Sequence, residues 1–393
     1  MINREYKEML SSKDVIFEIA GEARKRALRF GDDNIFNFSL GNPSVPAPEA
    51  VKQTFTRIIE ETDPLELHSY SPAGGVPFVR SSIARDLNER YGSHYEGRHI
   101  FMTCGAAAAL SHALRALTNP GDTVLTQAPC FPEYIPYVKG ALCKLSMVPA
   151  ETGSFQINLS AMEAMLTEDV AAVLLNSPNN PSGAVYSTET IKELSSLLQR
   201  KSEAYHHPIY LISDEPYRDI IFSHADSPYI ANFYANTITC YSFSKSLSLP
   251  GERIGYVAVN PHAVDADGIL EILPQVSRTT GHNGAPAILQ RVVAELSGTT
   301  SDLSIYEDNS RLLYRALKEY GYSLVRPGGT FYMFPASPEP DDTAFCRRAM
   351  ELNLMLVPGS SFGAPGFFRI AYCVPTERVT KSLPLFRELI ENT

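Results

Sequence analysis

Apolar and polar positions along the chain follow two alternating periods. Short uninterrupted apolar runs, rich in β-branched and aromatic residues, read as buried strands. They are Ile100–Cys104, Thr123–Thr126, Ala171–Asn176, Ile209–Ser213, Thr237–Ser242 and Tyr256–Val259. Stretches of helical period lie between them. Ala106–Leu117 is one; Thr188–Arg200 is another and puts Ile191, Leu194 and Leu198 on one face. Strands alternating with helices predict an α/β fold whose mostly parallel sheet is covered on both faces. Upstream, the chain up to about residue 35 reads as helical and charged, and Asn37–Pro43 breaks into a Gly/Pro loop. Downstream, residues 286–318 read as one long helical stretch. Strand-like pieces at Thr330–Phe334 and Phe368–Tyr372, with helices at Ala344–Leu352 and Leu383–Glu391, predict a second, smaller α/β unit. The expected division is residues 1–47 as a segment packing with the small unit, 48–285 as the large unit, and 286–393 as a linking helix and the small unit.

Composition narrows the partners. Thirty-four basic residues against 44 acidic ones give a net charge of −10, with no basic tract, so neither nucleic acid nor an anionic membrane is expected as a partner. No apolar run approaches the ~20 residues of a membrane span, and the start MINREYKEML lacks the apolar core of a signal peptide. The six cysteines are scattered, without a C-x-x-C pair, and mostly sit inside apolar runs, as reduced core residues do. These features predict a soluble, cytoplasmic protein.

The chemistry concentrates at strand ends, where ligand sites of open α/β sheets form. In SFSKSLSLPGERIGY, Lys245 is the lone charge of an apolar stretch, and burying it requires a partner or a chemical task. Four further features converge with it. Gly105 opens the Ala-rich helix Ala106–Leu117, whose free backbone N–H groups can take an anion; alone, it fits an ordinary helix start better. Phe131 sits in the proline-stiffened loop PCFPEY, where it can stack on a planar ring or fill core. NSPNNPSG, from Asn176 to Gly183, is a dense turn cluster after a strand. Asp214 and Tyr217 end the next strand in SDEPY.

Taken in order and spacing, NSPNNPSG, SDEPY, SFSKSLSLPGERIGY and FFRIAYC resemble the motifs of class I and II aminotransferases, the pyridoxal-phosphate enzymes of fold type I. The similarity runs from Gly41 to Arg369, nearly the whole chain. It implies a large domain with a seven-stranded, mostly parallel sheet flanked by helices, plus a smaller α/β domain. It implies pyridoxal 5′-phosphate as the cofactor, with Lys245 as the Schiff-base residue and later the proton carrier. Asp214 is then the partner of the ring nitrogen, and Asn180 and Tyr217 hold the ring's phenolic oxygen. Phe131 covers a ring face. Gly105, Ala106 and Ala107 offer backbone N–H groups to the phosphate, and Ser242, Ser244 and Arg253 add hydroxyls and a guanidinium. Many family members carry a hydroxyl residue just after the glycine; two alanines stand here, so only the main chain can serve.

By the same resemblance, Tyr70 reaches the phosphate of a partner subunit, which implies a homodimer with shared active sites. Arg369 clamps the substrate α-carboxylate, beside Asn180, and Gly41 lets the N-terminal loop close over it. Arg278 lies five residues before Asn283, at the spacing of a side-chain carboxylate reader from the other subunit, although the flanking residues depart from the dicarboxylate pattern. The implied reaction moves an amino group from an L-amino acid to a 2-oxo acid, aspartate and 2-oxoglutarate among the possibilities. Two alternatives share the lysine: a carbon–sulfur β-lyase, and a pyridoxal-phosphate-sensing regulatory domain, against which the lack of a basic extension speaks. Gly359–Gly363 spells the G-x-S-x-G of a hydrolase, but no histidine follows Ser361 to complete it. The adjacent His206 and His207 point apart and lack further ligands at metal spacing, so no metal is expected.

Overall fold

A computed structural model describes residues 2, 4–9 and 15–392. The predicted N-terminal helical segment is seen as Arg4–Met9 and Val15–Phe30; its residues 10–14 lie outside the described residues.

The central sheet has seven strands: β1 (Ile100–Thr103), β2 (Thr123–Gln127), β3 (Lys144–Val148), β4 (Val170–Asn176), β5 (Tyr210–Asp214), β6 (Thr237–Ser242) and β7 (Gly255–Val259). Their order across the sheet is β1-β7-β6-β5-β4-β2-β3. Neighbours pair parallel except at β7, which runs antiparallel to both β6 and β1. The link from β6 to β7 carries only one helical turn, Phe243–Ser246, so the chain reverses instead of crossing over. β5, β6 and β7 are buried at every position and β4 at all but Ala171, which is why they read as unbroken apolar runs. β3 is the strand that the sequence did not signal. It pairs only with β2 at the edge, and Lys144 is exposed, so it lacks the continuous apolar run of its neighbours.

The helix Ala106–Leu117 forms with the predicted bounds, and Thr188–Arg200 extends to Tyr205. The C-terminal helix starts at Thr376 and runs through Pro384, earlier than the sequence suggests. The stretch 286–318 is not one helix. It splits into Ala287–Glu295 and Ser304–Glu319. Gly298, at φ +76°, breaks it, and Ser301 N donates to Ser246 O at 2.7 Å instead of continuing a helix. The first half packs with Val51, Val79 and Leu87 beside the large sheet; the second half packs with Phe331, Phe345 and Phe368.

Those three phenylalanines belong to a second core, built around Phe368–Ala371, which pairs antiparallel with Val357–Pro358 and with Tyr332–Met333. The N-terminal segment joins this unit. Phe36–Asn37 pairs parallel with Leu354–Met355, and Ile19 and Ala23 of Val15–Phe30 pack with Met355, Val357 and Phe362. The N-terminal loop at Gly41 is thereby brought over the C-terminal ends of the large sheet's strands.

Candidate active site

A cavity of about 500 Å³ lies between the strand ends and the second core. Gly41, Ala106, Ala107, Phe131, Asn180, Asp214, Tyr217, Ser242, Ser244, Lys245, Arg253 and Arg369 all line it. These are the residues singled out from the sequence, except three. Gly105 sits directly behind the lining as the N-cap of Ala106–Leu117. Tyr70 is fully exposed, in the loop between the helices Pro64–His68 and Pro77–Tyr91, away from this cavity. Arg278 is exposed in the last turn of Ala266–Thr279, also outside it.

Lys245 lies in the single helical turn after β6, capped by Ser242, whose Oγ accepts from Ser244 N at 3.2 Å. Its Nζ donates to Gly41 O at 2.7 Å and stands 5.6 Å from the Phe331 ring centroid. Burial lowers the amine to about 8, and Arg253 and Arg369 add to the effect. A lysine without a carboxylate partner, partly deprotonated near neutral pH, is a nucleophile and a proton carrier. Gly41 must be glycine here because a Cβ would overlap the Tyr332 hydroxyl.

Asp214 ends β5 and is buried. Tyr134 Oη donates to its Oδ2 at 2.6 Å and Asn176 Nδ2 to its carbonyl at 2.9 Å, while Oδ1 has no partner among the described residues. Burial raises the carboxyl to about 7, with the neighbouring Glu215 charge pushing the same way. A buried carboxylate oxygen left without a donor is costly, and a protonated ring nitrogen would satisfy it. Tyr217 Oη meets Tyr332 Oη at 3.1 Å, and burial holds its phenol well above the usual range. Asn180 lies between two cis peptide bonds, Ser177–Pro178 before it and its own bond to Pro181 after it, and its N–H donates to Asn176 Oδ1 at 2.7 Å.

Also lining the cavity, Ser242 and Ser244 hydroxyls touch at 2.7 Å, and Arg253 Nη1 reaches Ser244 Oγ at 3.4 Å. The guanidinium lies so close to the helix start that a Cβ on Gly105, whose φ is +84°, would sit 2.6 Å from Nη2. Hydroxyls, a guanidinium and a helix N-terminus in one corner form an anion pocket. Arg369 is buried. Its Nη1 donates to Asn180 Oδ1 at 3.0 Å, its Nη2 to Ser39 O, and its Nε has no partner among the described residues. The Tyr332 and Phe362 rings each stand 4.7 Å from the guanidinium carbon. Desolvation lowers its proton affinity, so it is poised for an anion in the cavity.

The residues present therefore suit a phosphorylated pyridine aldehyde: an amine for the aldehyde, an orphaned carboxylate oxygen for the ring nitrogen, and an anion corner for the phosphate. Phe131, edge-on to Tyr134 at 5.9 Å, lines the same cavity. Sequence reasoning missed Tyr134, Asn176 and Tyr332, which contact Asp214, Asn180 and Arg369, because a single aromatic or amide at the end of an element carries no signal of its long-range partner. It also missed Ile16 and Phe17, which line the cavity from Val15–Phe30.

Comparison with known proteins agrees with this geometry. The family model for aminotransferase class I and II matches residues 33–383. An aspartate aminotransferase of Thermotoga maritima is 28% identical over 396 residues, covering all of both chains. Its crystal structure superposes with a TM-score of 0.88 over 99% of this chain and 100% of that one. An aminotransferase structure from Eubacterium rectale is 41% identical, with a TM-score of 0.97 over 100% and 99% of the two chains. With the family model spanning most of its length, and its lysine, aspartate and arginine gathered around one cavity, the chain belongs to the class I and II aminotransferases.

Proposed function

We propose that this aminotransferase holds pyridoxal 5′-phosphate in the cavity and moves an amino group from an L-amino acid to a 2-oxo acid. The observation that carries the reading is the pairing of a desolvated amine at Lys245 with an unpartnered Asp214 oxygen in one cavity. Lys245 would hold the aldehyde, Asp214 the ring nitrogen, and Asn180 and Tyr217 the phenolic oxygen. Phe131 would cover a ring face. The N–H groups of Gly105, Ala106 and Ala107, with Ser242, Ser244 and Arg253, would hold the phosphate. When bound, the cofactor supplies an electron sink that lets the substrate α-carbon lose a proton.

The chain's own groups do the rest. Lys245, neutral above about pH 8, takes that proton and returns one. Arg369 fixes the α-carboxylate by a two-pronged contact, with Asn180 orienting it. Gly41 and the N-terminal loop close the site and exclude water. Asp214, ionised against a ring cation, keeps the electron demand of the site in place.

The dimer is part of the proposal. Tyr70, Leu65 and Phe78 are exposed on consecutive segments, a surface suited to a second copy, through which Tyr70 would enter the partner's phosphate corner. Relatives named aspartate aminotransferase or probable aspartate aminotransferase support aspartate as one donor, with Arg278 of the partner subunit as the reader of its side chain. The β-lyase and sensor alternatives find no support in these comparisons. A cytoplasmic setting is consistent with helices none of which, among the described residues, is long and apolar enough to cross a membrane. We assign residues 48–285 as the cofactor-binding domain, with 1–47 packing on the smaller domain and 286–393 supplying first a linking helix, which packs on the large unit, and then the smaller domain; the separate cores support this division.

The test is a half-reaction screen. Purified holoenzyme is mixed with individual amino acids and loss of the lysine–cofactor absorbance is followed. Release of the matching 2-oxo acid without regain of that absorbance is expected. Pyruvate from cystathionine with full regain would reinstate the β-lyase.

A further inference from the structure

Behind the cavity lies a buried ion pair for which the reaction has no direct use. Successive residues at a strand end point to opposite sides, so Glu215 turns away from the cavity into which Asp214 turns. Glu215 Oε1 accepts from Ser213 Oγ at 2.7 Å and Oε2 from Arg218 Nη1 at 3.0 Å. Both residues are buried, at 3% and 8% exposure. Arg218 Nη2 donates to Tyr256 Oη, and the Tyr241 ring centroid lies 4.2 Å from the guanidinium carbon. Desolvating two charges is expensive, and an apolar pair of the same size often serves stability as well.

The charges around Asp214 show what the pair does. Tyr134, Tyr137, Tyr217 and Cys240 face it, and burial raises the proton affinity of all four, so they stay neutral at working pH. On the far side of Glu215, Asp219 is occupied by Arg90 at 2.6 Å and by the Tyr241 hydroxyl. Tyr91, Tyr229 and Tyr256 face the same space and are kept neutral by burial. Burial raises the proton affinity of Glu215 and the Arg218 guanidinium opposes that rise, so Glu215 is the neighbouring acid whose charge acts on Asp214, and Arg218 is the cation that holds it ionised. We propose that Arg218 is a positioning residue: by neutralising Glu215 it keeps the adjacent Asp214 carboxylate ionised for the cofactor's ring nitrogen. This rests on Asp214 being that partner.

The experiment compares Glu215→Gln, Arg218→Met and the double variant as holoenzymes. One reading is the pH midpoint at which bound cofactor is released on acidification, followed by fluorescence of the free cofactor. The other is the acid limb of kcat/KM for the amino donor. Arg218→Met should move both midpoints up by about one pH unit, as an uncompensated like charge does. Glu215→Gln should move them down, and the double variant should fall between. A packing defect alone would not shift two variants in opposite directions. A Glu215→Gln midpoint equal to the wild type overturns the proposal, and that variant decides alone if Arg218→Met does not fold. Asp214→Ala separates the two readings. A wild-type midpoint there removes the role of Asp214 itself, whereas a changed one beside an unmoved Glu215→Gln removes only that of Arg218.

Discussion

Asp214→Asn should make the cofactor-free chain more stable and the enzyme nearly inactive. The substitution removes the charge but keeps an acceptor for Tyr134 Oη. Without a ring cation beside it, burial raises this carboxyl from its ordinary 3.8 to about 7. The folded state therefore binds a proton more tightly than the unfolded chain. The associated stability is fully present below the unfolded value of 3.8 and is lost as pH rises through about 7. At about 1.4 kcal/mol per pH unit, carrying the anion costs about 4 kcal/mol above pH 8, and roughly a third of that at pH 5. Urea unfolding of the cofactor-free wild type and variant, at pH 5 and pH 8.5, measures both values. The variant should gain most at pH 8.5, while its holoenzyme loses cofactor affinity and kcat falls by about two orders of magnitude or more. An equal gain at the two pH values, or none, would refute the assignment of strain to this carboxylate.

Other outcomes follow from the same geometry. Capture of the cofactor aldehyde by the cofactor-free chain should quicken about tenfold from pH 7 to pH 9, following the Lys245 amine near 8, and stopped-flow absorbance reads it. Arg369→Lys keeps a charge but loses the planar fork; KM for the amino donor should rise about a hundredfold with a smaller change in kcat, measured by steady-state kinetics. Mixing inactive Lys245→Ala with a Tyr70→Ala variant under subunit exchange should restore activity, because a hybrid dimer has one intact site; no recovery would remove Tyr70 from the partner's site. Arg278→Ala should depress activity on aspartate far more than on alanine, and equal losses would remove it as a side-chain reader.

The central strands and the helix at Gly105 were legible because burial on both faces, or on one helical face, forces a regular apolar pattern. β3 escaped because Lys144 is exposed and the next three positions are only half-buried, which breaks the apolar run that the other edge strand, β1, keeps. The break at Gly298 escaped because the apolar period continues on both sides of it and only the contact with Ser246 fixes where the chain turns.

By itself, the sequence determined the sheet's buried strands and the residue types needed at their ends, since both are imposed locally by covalent geometry, apolar period and turn chemistry. Only the tertiary structure decided that Gly41, Asn180 and Arg369, far apart in the chain, share one cavity with Lys245. It alone decided that Asp214 keeps one oxygen unpartnered and that Tyr134, Tyr332 and Arg218 stand where they do. Those facts depend on which long-range neighbours desolvate a group or pair with it, and desolvation is a property of the packed molecule, not of any short stretch of chain.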